Sequence, residues 1–198
     1  LNNNMKLIID FDDVLFHNTN HFKERMYLCL ENAGVSRQTA EEYYKEVREK
    51  EFSLKNFIAT LIFRQKIEKF ETENIYQEIM QESRHFINVE LIDLVKKIGK
   101  ENCYIITNGE YEFNKDKVFT SGLSALFTGI FIVPGSKKEI IYDLCGKHKD
   151  EQVIFVDDKP KFIDDIDPNL CPNLKTILYD EKGIEKLIIE TNKLHEAK

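Results

Sequence analysis

The chain has 198 residues, 42% of them apolar, which is enough for one sizeable core and a modest insertion. A formal charge of −7 and a pI near 5.4 argue against a nucleic-acid polymer as partner, since such binders carry a basic footprint, but leave small phosphate esters open. No apolar run approaches the roughly 20 residues needed to span a bilayer, and residues 1–4 lack a basic-then-apolar leader pattern.

Residues 5–9 (Met-Lys-Leu-Ile-Ile) are a short apolar run that reads as a strand buried on both faces. It runs straight into Asp10-Phe11-Asp12-Asp13-Val14-Leu15. Three carboxylates this close to a buried strand oppose folding through repulsion and desolvation unless a cation or proton relieves them. A hard cation such as Mg²⁺ does so with oxygen ligands; an acidic turn is the plainer alternative.

Residues 16–88 then lack any β-rich run, and Gly34 is their only glycine. Ser36, Ser53 and Thr72 each precede a helical stretch as start signals, the second stretch running to Ile67, and Gly34 suits a helix end. A simple crossover between parallel strands needs about a dozen residues, so this segment reads as a helical insertion with a core of its own. Phe22, Met26, Tyr43, Tyr44, Phe57, Leu61, Phe63 and Phe70 are the expected packing residues. The Glu/Lys pattern of residues 41–51 reads as a solvated helix face.

Four further apolar runs follow, at 103–106, 130–133, 153–156 and 176–179. Their strand–helix rhythm predicts an α/β fold with a parallel sheet covered by helices. Ligands bind such sheets at the C-terminal strand ends. There stand Thr107-Asn108-Gly109, whose hydroxyl, amide and backbone N–H groups suit a phosphoryl oxygen, and Asp157-Asp158, a second carboxylate pair. If the strands before Asp10 and Asp157 are neighbours, Asp10 and Asp158 share one metal. Lys137 and Lys138 open a helix with Ile140, Ile141 and Leu144 on one face, and either offers an ammonium to the same pocket. The polar tail after Ile189 reads as a fraying helix end.

Cys29, Cys103, Cys145 and Cys171 are scattered, without zinc spacing, and suit buried thiols in a reducing, cytoplasmic setting. The five histidines read as surface or local polar residues rather than metal ligands.

The four strand-end sites together resemble the haloacid dehalogenase superfamily of phosphohydrolases. Asp10-Phe11-Asp12-Asp13-Val14-Leu15 is similar to its D-x-D-x-[TV]-L motif, Thr107 to the Ser/Thr of its second, Lys137 to the lysine of its third, and Asp157-Asp158 to the acidic pair of its fourth. The resemblance implies a Rossmann-like three-layer core with a five-stranded parallel sheet (residues 1–15 and 89–198) and an inserted α-helical cap (16–88). It implies Asp10 as nucleophile and Mg²⁺ ligand, and Asp12 as general acid and base, lending a backbone carbonyl to the metal. It implies Thr107, Asn108 and Lys137 (Lys138 as alternative) as the phosphate cradle, and Asp158 with Asp157 as metal ligands. A small phosphorylated metabolite is the implied substrate, with a phosphomutase or a non-catalytic module as alternatives. Asp12 argues against carbon–halogen chemistry, and like charges at Asp10, Asp13 and Asp158 favour its acid form. Asp13 departs from the family pattern, which has glycine there. Arg25, Lys55, Arg64 and the aromatics are the candidates for substrate contact from the helices.

Overall fold

The computed structural model describes residues 5–17, 19–48, 52–69 and 71–196, with side chains to residue 193. Phe70 and residues 1–4 therefore lie outside the described residues. Five strands, β1 (Met5–Ile9), β2 (Cys103–Asn108), β3 (Gly129–Val133), β4 (Gln152–Asp157) and β5 (Leu174–Leu178), form one parallel sheet in the order β3-β2-β1-β4-β5. β1 lies between β2 and β4, with Leu7 opposite Cys103 on one side and Ile154 on the other. β5 starts two residues before the apolar run read from sequence, and the run's last residue, Tyr179, falls outside it.

The period-2 alternation of the strands splits the core into two layers. Leu7, Ile9, Ile105, Ile154 and Val156 face one side, where α5 (Val89–Ile98), α6 (Tyr111–Thr120) and α9 (Gly183–Glu196) pack. Ile8, Ile106, Val153 and Phe155 face the other, against α7 (Lys138–Lys147) and α8 (Pro160–Asp164). The chain is thus an α/β, Rossmann-like fold of three layers.

Between β1 and β2 the chain forms α1 (Thr19–Asn32), α2 (Arg37–Val47), α3 (Leu54–Gln65) and α4 (Thr72–Glu82). Ser36 and Ser53 cap α2 and α3, accepting from the backbone N–H groups of Thr39 and Asn56. Thr72 is instead the first residue of α4, and Glu71 precedes it without a side-chain cap bond. α3 stops at Gln65, where Lys66 turns left-handed, so Ile67 lies beyond the helix. Phe22, Met26, Phe57 and Leu61 are buried, and Tyr43 and Tyr44 half-buried. Phe63 is 84% exposed, a correction to its expected packing role: Phe57, Ile58 and Leu61 already fill the buried face of α3. The two chain segments joining these helices to the sheet lie side by side: His17 N donates to Phe86 O (2.5 Å) and Asn88 N to Leu15 O (2.9 Å).

The tail after Ile189 is helical to Glu196, and its buried Thr191 bonds Ile188 O. All four cysteines are buried and free. His148 sits between Tyr104 Oη (2.9 Å) and Glu151 Oε1 (2.8 Å), a local polar network at the sheet's opposite end. Among the described residues, no helix is long and apolar enough to cross a membrane.

Candidate active site

β1 and β4 are neighbours in register, Ile9 opposite Val156, so their C-terminal ends bring Asp10 beside Asp157 and Asp158. The Asp10 N–H continues the ladder by donating to Val156 O at 2.9 Å, which fixes where its side chain leaves the sheet. One carboxylate oxygen from each of Asp10, Asp157 and Asp158 lies within 4.8 Å of the others. Asp10 and Asp157 are 2% and 0% exposed.

Lys137, the residue just before α7, enters this cluster. Its Nζ lies 2.7 Å from Asp10 Oδ1 and 2.6 Å from Asp157 Oδ2, and it is itself only 1% exposed. Lys138 points elsewhere, 3.5 Å from Asp165 at the surface. Of the two lysines, Lys137 is the one that lies with the carboxylates.

One buried ammonium faces three carboxylates, and Asp10 and Asp158 are held above the usual carboxylate range. Burial pushes the Asp10 carboxyl up to about 7, with Asp157 adding repulsion and Lys137 opposing. Burial also raises Asp158, with Asp157 and Asp13 adding repulsion against Lys159. Lys159 is held above the usual lysine range by Asp158, Asp10, Asp12 and Asp157, although burial works against its charge. Asp157 is satisfied by Lys137 and by the Lys159 N–H (2.8 Å). Asp158 Oδ1 is buried without a hydrogen-bond partner, and so is Asp10 Oδ1, which has only the Lys137 ion pair. Hard oxygen donors, excess negative charge and two unbonded oxygens fit a hard divalent cation such as Mg²⁺.

Asp12 stands outside that cluster. Its Oδ1 is 2.5 Å from Lys117 Nζ of α6. The charges around Asp12 are therefore of both signs, where the sequence displayed only like ones. Asp13 has φ 58°, the left-handed conformation for which glycine is usual. Its carboxylate accepts from Thr19 N (3.0 Å) and Oγ1 (2.8 Å) at the start of α1.

Thr107 is buried at the end of β2. Asn108 turns its amide nitrogen to Val133 O (3.2 Å) and Gly135 O (2.7 Å), tying the β2 end to the loop before α7. Gly109 has φ 143°, and a Cβ there would meet Asn114 Nδ2 at 2.5 Å.

A cleft of about 520 Å³ opens beside Asp12, lined by Asn108, Gly109, Phe113, Lys117 and, from the helical segment, Arg48 and Phe52. Arg25, Lys55 and Arg64 lie elsewhere, against Glu82, against Glu112 with Glu73, and over the Tyr43 ring. Lys117, Arg48 and Phe52 were not legible as site residues. Lys117 sits in Lys115-Asp116-Lys117, which reads as a solvated helix face.

An open parallel sheet with an inserted helical segment and carboxylates at two adjacent strand ends is the arrangement expected of the haloacid dehalogenase fold. Solved structures bear this out at the level of the fold. A protein from Burkholderia xenovorans LB400, named as a haloacid dehalogenase-like hydrolase, superposes with a TM-score of 0.66 at 14% identity, covering 91% of this chain and 87% of that one. A Bacillus subtilis protein named as a HAD hydrolase, bound to magnesium, gives 0.55 at 14% identity over 95% and 98%. A Thermotoga maritima protein named as a β-phosphoglucomutase gives 0.53 at 15% over 94% and 99%. No family model matches the sequence, and no curated protein matches it. The chain has the fold of the haloacid dehalogenase superfamily.

Proposed function

We propose that this chain is a Mg²⁺-dependent phosphohydrolase that cleaves a small phosphate monoester through an aspartyl-phosphate on Asp10. The observation that carries this reading is the meeting of Asp10, Asp157, Asp158 and Lys137 at two adjacent strand ends, with Asp12 outside the cluster and facing a cleft. A phosphate monoester dianion repels a carboxylate nucleophile, so positive charge has to surround the reaction. Mg²⁺ held by Asp10, Asp158, Asp157 and the Asp12 carbonyl would supply part of that charge as a Lewis acid.

The chain's own groups supply the rest. Asp10 attacks phosphorus and forms the acyl-phosphate, which divides one difficult displacement into two easier ones. Lys137 and Thr107 hold the transferring oxygens. Asp12 gives its proton to the departing alkoxide, then takes one from the water that attacks the acyl-phosphate. Asn108, bound to two loop carbonyls, acts by shaping the loop that carries Lys137. Residues 16–88 serve as a cap over the 1–15 and 89–198 core, and Arg48 and Phe52 face the leaving group from it. The four buried free thiols suit a reducing compartment, which we take to be the cytoplasm.

The test is phosphate release from a panel of small phosphate esters, with Mg²⁺ or EDTA, by wild type and Asp10→Asn. Release that needs both Mg²⁺ and Asp10 supports the reading. Formation of a second phosphate ester without free phosphate would favour a phosphomutase, and inertness of the folded, metal-bound protein a binding module.

A further inference from the structure

Lys117 is 4% exposed, which is an unusual place for an ammonium group. Desolvation makes such a group costly unless a counter-charge and polarisable surroundings offset it. Both are present. Its Nζ is 2.5 Å from Asp12 Oδ1 and lies 4.7 Å from the centroid of the Phe113 ring and 5.4 Å from those of Phe11 and Phe16. The rings fix the ammonium, and the ammonium in turn fixes one oxygen of Asp12, whose side chain is partly open to the cleft.

The helix that carries Lys117 also holds the helical segment. On α6, Glu112 accepts from Lys55 at 2.9 Å, Asp116 accepts from Tyr76 Oη at 2.7 Å, and Phe113 meets Phe52 edge-on at 6.0 Å. Lys55 belongs to α3 and Tyr76 to α4. One short helix therefore touches both the acidic side chain at the cleft and the segment that covers it.

We propose that Lys117 is a positioning residue for Asp12. It holds the carboxyl group at the cleft, away from the Asp10–Asp157–Asp158 cluster, where one oxygen remains to exchange a proton with the leaving-group oxygen once the bound phosphate dianion offsets the ammonium's preference for the ionised carboxylate. Docking of α3 and α4 on α6 sets where Lys117 stands. This role rests on the hydrolase reading above, in which Asp12 protonates the departing alkoxide and later deprotonates water.

The test exploits leaving groups. An aryl phosphate such as 4-nitrophenyl phosphate expels a stable phenolate and needs little acid assistance, whereas a primary alkyl phosphate needs it fully. Lys117→Met keeps an apolar stem among the three rings and removes the charge. The expected result is a kcat on the alkyl ester that falls about tenfold or more beyond the fall on the aryl ester, KM values changing little. Lys117→Arg should restore most of the alkyl rate. Tyr76→Phe, which removes the α4 contact without touching Asp12, should lower the alkyl-to-aryl ratio in the same direction by a smaller factor, and it decides the matter if Lys117→Met does not fold. Equal losses on both esters, or an unchanged ratio, overturn the positioning role and leave the hydrolase reading intact. Absence of turnover of either ester by the wild type overturns both.

Discussion

The Lys137 ammonium lies 2.7 Å from Oδ1 of Asp10, with both side chains enclosed and Asp157 on its other side. One cation shared between two buried carboxylates, with Asp158 beside them, leaves the cluster short of positive charge.

Replacing Lys137 with methionine should destabilise the metal-free protein by about 3–5 kcal/mol, because breaking a buried pair strands the partner charges. Lys138→Met should change stability by less than about 1 kcal/mol, as expected for an exposed pair. Urea unfolding of both variants in EDTA measures the contrast.

Asp10→Asn should stabilise the metal-free protein while abolishing turnover. Asp10 is held up to about 7 against an ordinary 3.8, with burial the main cause. Between those values the folded state binds more protons than the unfolded state, so stability falls as pH rises through that window. Thermal melts in EDTA from pH 4 to pH 8 should show this fall in wild type and a weaker one in Asp10→Asn. Each kcal/mol recovered at pH 8 is worth about 2–4 °C in Tm.

The strand ends were the most legible part of this fold. Apolar runs ending in Asp10, Thr107 and Asp157 announce themselves locally, because a buried strand that stops at a carboxylate has few structural explanations. The pairing of β1 with β4 was only a condition on the reading, since register is decided between segments far apart in the chain. Lys117 was invisible for the same reason. Its partner stands 105 residues away, and its neighbours in α6 are mostly polar or charged. Phe63 misled because α3 is apolar on more than its buried face, and a side chain at its rim looks like core until neighbours are placed. Asp13 was legible as an anomaly but not as a solution. Its left-handed backbone and its bonds to Thr19 explain how an aspartate stands where the family pattern has glycine.

Asp13→Gly should therefore cost little, since glycine accepts φ 58° freely and gives up only the bonds to Thr19. Asp13→Ala should be less stable than Asp13→Gly by about 1–2 kcal/mol, the cost of a left-handed residue with a Cβ. Chemical denaturation of the two variants compares them directly.

Mg²⁺ should raise the Tm of the wild type in a concentration-dependent way, by the equivalent of about 2.7 kcal/mol at a hundred times Kd. Asp158→Asn, which neutralises the half-buried carboxylate with an unbonded oxygen, should reduce that rise sharply. Calorimetric titration with Mg²⁺ alone tests this without any substrate.

The burial of Cys29, Cys103 and Cys145 pushes each thiol up to about 12. These thiols should react with a disulfide reagent at neutral pH only after unfolding. A native-state titration that labels any of them within minutes would contradict their placement.

The most direct measurement is rapid-quench labelling with a phosphate ester radiolabelled at phosphorus, followed by peptide mapping. The account predicts a base-labile label on the peptide containing Asp10, formed only with Mg²⁺ and absent from Asp10→Asn. Turnover of the ester with no label at Asp10 at any time, or with label on another residue, would contradict it.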